Sequence, residues 1–471
     1  MNVLPVNKIR KGAMQRNAFK ILMIAGLLTP PAAPSLHAQS AETDRLKATV
    51  KSLDQSIQEL KQKVADMEKQ QAVMSAKLPL GPLSPVFYRH AFTDNQAAAP
   101  RPGDLTLDPQ YRGFIPIPHT PAMIRFNAKP RVDFIFDTGN PGDPDMFIPA
   151  KIPVTGDPTK GGGNRFNISA KGSRLMLDVR APTREGAPRF YYENDFNGSG
   201  SATMNIKIRH LYGQYYNIIL GQTFSVFEDP DGWPDTLDYE GPNAAVSARL
   251  PLLRYQIPLT KQWHINVSAE KPSSEVDTTG DPTAVPVNRA PDIGVNTRWE
   301  EASFGHVQMA AIGRVLGADG VTNGIQTVLG MGMNLSVVKS LFTRDSLQFQ
   351  GTLGQGIARY NNDDVFPNDA AYNQSGDLKA LPFMAVMVGY THGWTEKLRS
   401  TASYGLVNIN NQASQGPNAY HQTHYASLNL MWQPFKLLTM GMEGLYGRKK
   451  VQSGAVGADW RIQFGVVYSL F

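Results

Sequence analysis

From residue 124 to its end the chain alternates apolar and polar residues in short runs. That period of two limits the fold more than any other feature. In the first run Ile124, Phe126, Ala128, Val132, Phe134 and Phe136 share one face. Arg125, Asn127, Lys129, Arg131, Asp133 and Asp137 share the other, and Pro130 marks an irregularity or bulge. In the last run, 460–471, Trp460, Ile462, Phe464, Val466 and Tyr468 oppose Arg461, Gln463, Gly465 and Ser469. A strand with aromatics near both ends that closes a chain on an aromatic residue suggests the seam of an outer-membrane barrel. Phe471 is one step out of phase with the apolar set and is expected at the rim. The edge strand of a soluble sandwich is the alternative on this run alone.

Between these two runs the alternation predicts strands at 165–180, 189–197, 203–212, 217–224, 243–250, 262–271, 292–300, 304–315, 326–338, 346–359, 383–391, 397–406, 421–432 and 436–447. With the first and last runs they make sixteen, many near the length that a tilted strand needs to cross a bilayer. The connections sort by parity. Those at 138–164, 225–242, 272–291, 360–382 and 407–420 are long and rich in Gly, Pro, Asn and Asp, whereas 213–216, 301–303, 392–396 and 433–435 are short. Outer-membrane barrels pair long outer loops with short periplasmic turns. The gap 198–202 is short where a long loop is expected.

Composition agrees with this class. Charged residues are only 18% of the 471, and no cysteine is present, which excludes a disulfide scaffold and a thiolate metal site. No run of about 20 apolar residues lies outside the N-terminal region, so a transmembrane helix is excluded there. The pI of 9.2 suggests nucleic acid until processing is considered. Residues 1–38 carry Lys8, Arg10, Lys11, Arg16 and Lys20 and no acid, then the apolar run 21–28 and Leu36-His37-Ala38. This reads as a signal peptide. Without it 41 Lys and Arg face 40 acids, so the basic pI says nothing of a partner and no nucleic-acid role is expected.

Residues 39–77 change period. Leu46, Val50, Leu53, Ile57, Leu60, Val64 and Met67 recur at steps of four and three, continued by Gln71 and Met74. That heptad predicts a coiled-coil stalk about 50 Å long, in the periplasm; a lone amphipathic helix is the alternative. Val and Ile at one core position with Leu at the other favour two strands. Residues 78–121 hold nine prolines and read as an extended linker, which leaves 122–471 as the barrel.

Motifs for chemistry are missing. No H-E-x-x-H, G-x-S-x-G or phosphate-loop pattern occurs, so neither enzyme activity, a cofactor nor a metal is expected. What remains is charge. Arg125, Lys129, Arg131, Arg174, Arg180, Arg189, Lys207, Arg209 and Arg249 lie on polar strand faces, with Arg298, Arg314 and Arg399 later. In a barrel they must face the lumen, since Arg on the lipid face costs about 2–4 kcal/mol near the midplane. The connection 225–242 carries Glu228, Asp229, Asp231, Asp235, Asp238 and Glu240 and no base. Folded inward, it would face the Arg-lined wall and narrow the pore. Folded outward, it is a solvated acidic loop.

The sequence resembles the DcaP-like outer-membrane porin family. The resemblance rests on the stalk after a signal peptide, Arg125-Phe126 through Asp133, Ser173-Arg174-Leu175, Asp178-Val179-Arg180 and Arg189-Phe190-Tyr191-Tyr192-Glu193 with Asp195-Phe196. Arg209 to Gln214, Gly221 to Ser225, and Tyr390 to Ser403 with Trp394 and Lys397 to Thr401 also match, in the same order. The resemblance implies a trimeric sixteen-stranded barrel in the outer membrane of a Gram-negative bacterium. It would pass small anionic solutes such as dicarboxylates, with membrane lipid and its own copies as partners. The implied trimer differs from the two-stranded preference of the stalk, and barrel-to-barrel contact is expected to prevail. A second reading makes the protein structural, its stalk contacting the cell wall and tethering the membrane to it.

Overall fold

The computed structural model describes residues 114–181, 188–199, 204–321, 324–363 and 367–470, with scattered residues between Lys47 and Asp66. The chain divides into two units, Met1–Pro82 and Leu83–Phe471. In the first, the described residues, among them Lys47, Asp54, Glu59 and Asp66, are helical and exposed. The heptad core Leu46, Val50, Leu53, Ile57, Leu60, Val64 and Met67, the signal peptide and Phe471 lie outside the described residues, as does most of the linker.

The second unit is a large antiparallel sheet. Among the described residues 23 strands occur, twenty in one sheet and three in a small second one. No helix among them is long and apolar enough to cross a membrane. The first run forms Met123–Lys129 and Arg131–Asp137, interrupted at Pro130, whose missing N–H cannot join a ladder. Its partner is likewise split into Arg165–Ser169 and Arg174–Arg180. From there pairing follows chain order through Arg189–Asp195, Lys207–Tyr215, Ile218–Phe224, Arg249–Pro258, Trp263–Glu270, Asp292–Glu301 and Gly305–Gly320. It continues through Gly324–Leu341, Asp345–Gln355, Pro382–Gly393, Leu398–Ile409, Tyr420–Phe435, Leu438–Val451 and Val456–Tyr468. The last of these pairs with Arg131–Asp137, from Arg461 opposite Asp137 to Val467 opposite Arg131.

The expected faces hold. Phe126, Phe134, Phe136, Trp460, Ile462, Phe464 and Tyr468 are exposed, whereas Arg131, Asp133, Asp137, Arg461 and Gln463 are buried. Apolar residues therefore cover one side of the sheet, and the polar side is covered by connections that fold onto it. The strand expected at 243–250 runs instead over Arg249–Pro258, because 243–248 belong to a buried connection. Strand lengths are uneven: between residues 189 and 301 they run 7–10 residues, apart from two short segments, whereas Gly305–Gly320 and Gly324–Leu341 have 16 and 18.

Candidate functional site

The site is built on residues 225–248, which leave the sheet after Phe224 and rejoin it at Arg249. Most of this segment is buried against the polar face of the sheet. A polar wall cannot hold a loop by hydrophobic contact alone, so its carbonyls must find donors. Wall amides supply them. Asn296 Nδ2 donates to the carbonyl of Val226 at 2.7 Å, Gln308 Nε2 to Glu228 at 3.0 Å, Asn334 Nδ2 to Phe227 at 3.1 Å and Asn429 Nδ2 to Asp235 at 2.7 Å. Arg131 donates to the carbonyl of Leu237, and the N–H of Val246 donates to Gln350 at 2.8 Å. These wall partners, five donors and the acceptor Gln350, come from six strands.

Glycines on the wall supply the room. A Cβ at Gly294 would lie 2.4 Å from Val226, at Gly389 2.5 Å from Pro234, and at Gly465 2.9 Å from Leu237. Glycine inside a strand often marks such a close approach.

The six acids of the segment take different positions. Asp229 meets Arg298 at 2.9 Å, His306 Nε2 at 2.7 Å and the Ser336 hydroxyl at 2.5 Å. Burial alone would raise its pKa, but His306 and Arg298 hold it well below the usual carboxylate range. Asp231 also reaches Arg298, at 2.9 Å, and Asp235 pairs with Arg399. Asp238 accepts the backbone N–H groups of Gly241 at 3.0 Å and Phe147 at 3.2 Å. Burial nevertheless pushes it up to about 6. Burial likewise pushes Glu228 up to about 7 against the opposing Arg249 and the Ala248 N–H. Glu240 is half-buried, and its carbonyl accepts from Asn362 at 2.8 Å.

The basic residues singled out in the sequence share the polar face, but most sit beside carboxylates of that same face. Arg131 pairs with Asp133 at 2.6 Å, Arg174 with Glu193 at 2.9 Å and Arg209 with Asp195 at 2.5 Å. Arg180 and Arg189 both reach Asp178 at 3.0 Å, with Arg125 at 3.5 Å. Arg249 stacks over Phe224 at 4.6 Å, Lys207 is exposed and Lys129 is half-buried. Among the loop acids, Asp229, Asp231 and Asp235 pair with Arg298 and Arg399, which stand on later strands than Arg131, Arg174 and Arg209. Those arginines hold Tyr239 instead: the guanidinium carbons of Arg131, Arg174 and Arg209 lie 5.2–5.5 Å from its ring centre. Asp133 and Asp178 stand two residues from Arg131 and Arg180, a signal visible in the sequence, whereas Glu193 and Asp195 reach Arg174 and Arg209 from the neighbouring strand.

A second connection also enters and was missed. Asp363 accepts from the Ala150 N–H at 3.0 Å and from Tyr420 at 2.9 Å, and burial pushes it up to about 7. Its signal in the sequence is Asn361-Asn362-Asp363, a polar run in the long connection 360–382.

Two cavities flank residues 225–248. One, of about 320 Å³, lies toward the long connections and is lined by Arg174, Lys207, Arg209, Arg249 and Arg359 against Glu240 and Glu275. The other, of about 510 Å³, lies toward the short turns, and six carboxylates face four Arg and Lys in its lining. Asp231, Trp233 and Asp235 line the second cavity, Tyr239 and Glu240 the first. Among the described residues no group of His, Asp and Glu is placed to hold a metal ion.

A family model for the DcaP outer membrane protein matches residues 112–470. The crystal structure of the outer membrane channel DcaP of Acinetobacter baumannii is similar at 22% identity and a TM-score of 0.66, over 76% of this chain and 99% of that one. OmpT of Vibrio cholerae gives 10% identity and 0.46 over 75% and 99%. An anion-selective porin from Comamonas acidovorans gives 13% and 0.48 over 74% and 100%. No curated protein matches the chain.

Proposed function

The chain belongs to the DcaP outer membrane protein family, and we propose that it is a sixteen-stranded trimeric porin passing small anionic solutes. Treating the two split runs as one strand each, and leaving out the short segments Ile115–Pro116 and Val285–Asn288, gives sixteen strands, and the pairing of Val456–Tyr468 with Arg131–Asp137 supports closure into a barrel. The exposed apolar face is then the lipid side and the polar face the lumen. Trp263, Trp394, Trp432 and Tyr468, exposed near the short-turn ends, suit one aromatic girdle.

The observation that carries the function is residues 225–248 bound across the polar face, with a cavity on either side. In a barrel that segment is a constriction. The cavity toward the long connections favours anions, since five cations there face two carboxylates, and rings of basic residues select anions. The dicarboxylate class follows the resemblance and rests on the same cations. Trimer formation is supported by the uneven wall: 7-residue strands fall short of the 9–11 that a lipid-facing strand needs, so neighbouring copies would cover them. The stalk, as a coiled coil, would align the copies in the periplasm.

Planar-bilayer recording under a KCl gradient tests this reading. Anion-selective reversal potentials are expected, weakened in the double variant Lys207→Gln/Arg249→Gln. A cation-selective wild type refutes the anion claim, and an absence of conductance refutes the porin.

A further inference from the structure

The side of the sheet turned away from residues 225–248 carries a polar patch that the passage of solutes does not use. Leu398–Ile409, Tyr420–Phe435, Leu438–Val451 and Val456–Tyr468 have 12–16 residues, enough to cross a bilayer. Their middle rungs expose Leu428, Leu430, Met442, Ile462 and Phe464. Toward the long connection 407–420 comes a row of aromatics. Tyr404 and Tyr446 both lie opposite Ala426, and the rings of Tyr446 and its neighbour Trp460 are 4.7 Å apart. The next rung puts His424 opposite Arg448, and the one after puts Gln422 opposite both Asn408 and Lys450. A row of Tyr and Trp marks the depth at which hydrocarbon gives way to headgroups. At about 3.4 Å per residue, Arg448 stands about 7 Å and Lys450 about 14 Å beyond that row. Both therefore reach the headgroup layer and escape the cost of a base at the midplane.

The charge of this patch is not neutralised within the wall. Neither Arg448 nor Lys450 makes an ion pair within 4.0 Å among the described residues. The acids of these four strands, Glu443 and Asp459, are buried on the opposite face. Two like charges two residues apart on one face repel, and an anion between them relieves that repulsion. Beside them runs a chain of uncharged groups. The Tyr404 hydroxyl donates to His424 Nδ1 at 2.8 Å, His424 Nε2 donates to Gln422 Oε1 at 3.1 Å, and Gln422 Nε2 donates to Asn408 Oδ1 at 3.4 Å. The chain and the two bases occupy three adjacent strands, a width of about 10 Å at the usual strand spacing. Arg forks onto phosphate oxygens and Lys adds a point charge. Amides suit sugar hydroxyls, and the apolar rungs below the aromatics suit acyl chains. A width of about 10 Å accommodates a sugar beside its phosphate rather than a phosphate alone.

We propose that this outward patch binds a phosphorylated glycolipid of the outer leaflet, its phosphate on Arg448 and Lys450 and its sugar on Gln422 and Asn408. The inference rests on the barrel reading for which face meets lipid and which end points outward. The bound headgroup would fix the height of the barrel in the membrane at the end where the solute enters, without touching the lumen.

The test is native mass spectrometry of the full chain in detergent with bisphosphoryl lipid A, the same lipid with both phosphates removed, and phosphatidylglycerol. Bisphosphoryl lipid A is expected to bind at least tenfold more tightly than either of the others. Arg448→Gln/Lys450→Gln should weaken it at least fivefold, whereas Lys339→Gln, at an exposed base near the short turns, should change it less than twofold. Equal binding of the phosphate-free lipid overturns the proposal, as does full binding by the double variant, or phosphatidylglycerol binding as tightly as lipid A. Planar-bilayer recording is the second readout. The double variant should keep the reversal potential of the wild type; a shifted potential with lipid A binding intact places these bases in the lumen and overturns the proposal. Lipid A binding without any conductance supports this surface and refutes the porin reading; conductance without lipid A binding overturns this surface alone.

Discussion

Replacing Arg298 by alanine should release the first half of the constriction. Arg298 is 4% exposed and reaches Asp229 and Asp231 at 2.9 Å and Glu300 at 3.1 Å. The variant leaves Asp229 with His306 at 2.7 Å and Ser336 at 2.5 Å, and removes the one cation that bridges all three acids. Breaking a buried pair by removing one partner costs about 3–5 kcal/mol. At tenfold per 1.4 kcal/mol, the ratio of docked to released segment falls by about 10² to 4 × 10³. Other anchors stay: the carbonyls of Val226 and Phe227 keep Asn296 and Asn334, and Asp235 keeps Arg399. The release should therefore be local. Single-channel records should change from a steady level to fluctuation with excursions to higher conductance. Endoproteinase Glu-C should cleave after Glu228 in the variant only, as that residue is 2% exposed in the wild type. Arg298→Lys, which keeps a charge but cannot fork to three acids, should lie between. A quiet, protease-resistant Arg298→Ala channel with unchanged conductance refutes the claim that ion pairs hold the segment.

The constriction should be pH dependent with a definite sign. Glu228 and Asp363, both pushed up to about 7, and Asp238, pushed up to about 6, bind protons more tightly folded than unfolded. Their stabilisation is complete near pH 4 and lost as pH rises to 7, so hydrogen exchange of 225–248, corrected for intrinsic rate, should be slower at pH 5 than at pH 8. Glu228→Gln should flatten that difference. Gly389→Val should place methyl groups against Pro234, now 2.5 Å from an added Cβ, and cost about 1–3 kcal/mol in thermal unfolding. Phe464→Arg, on the exposed apolar face, should cost about 2–4 kcal/mol and lower the yield of assembled barrel in folding assays with vesicles. Because the chain has no cysteine, Lys207→Cys is a single labelling site; a methanethiosulfonate reagent added to the aqueous phase should modify it and change the conductance.

The alternation carried most of this fold. The faces of the first and last runs, the break at Pro130 and the pairing of those runs were legible, because a period of two with one greasy face leaves little freedom of register. Alternation ends where a strand becomes a buried connection. Residues 243–248 are as apolar as a strand because they pack inside, so the strand beginning at Arg249 was expected six residues early. Loop destination was harder still, since acidity fits a solvated loop and a docked one equally. Wall glycines opposite the loop were visible, but their partners are contacts between residues tens of positions apart, and no local spacing encodes them.

Ion pairing within the wall decides which bases can act on a passing solute. Counting the early-strand arginines suggests a strongly positive wall, yet Arg131, Arg174, Arg180, Arg189 and Arg209 each have a carboxylate within 3.0 Å. From a few ångströms away such a pair is close to a dipole, whose field falls faster than that of a lone charge. Its contribution is chiefly to hold the wall and Tyr239 in place. Lys207 differs: it is exposed, lines the basic cavity and makes no ion pair within 4.0 Å among the described residues. At about 1–4 kcal/mol for a unit charge 4 Å away, between bulk water and a partly desolvated lumen, one such side chain outweighs several neutralised arginines. Neutralising Arg131 with Arg209 should therefore act mainly through the position of residues 237–239, whereas neutralising Lys207 should act on the sign and size of the reversal potential with the constriction left in place.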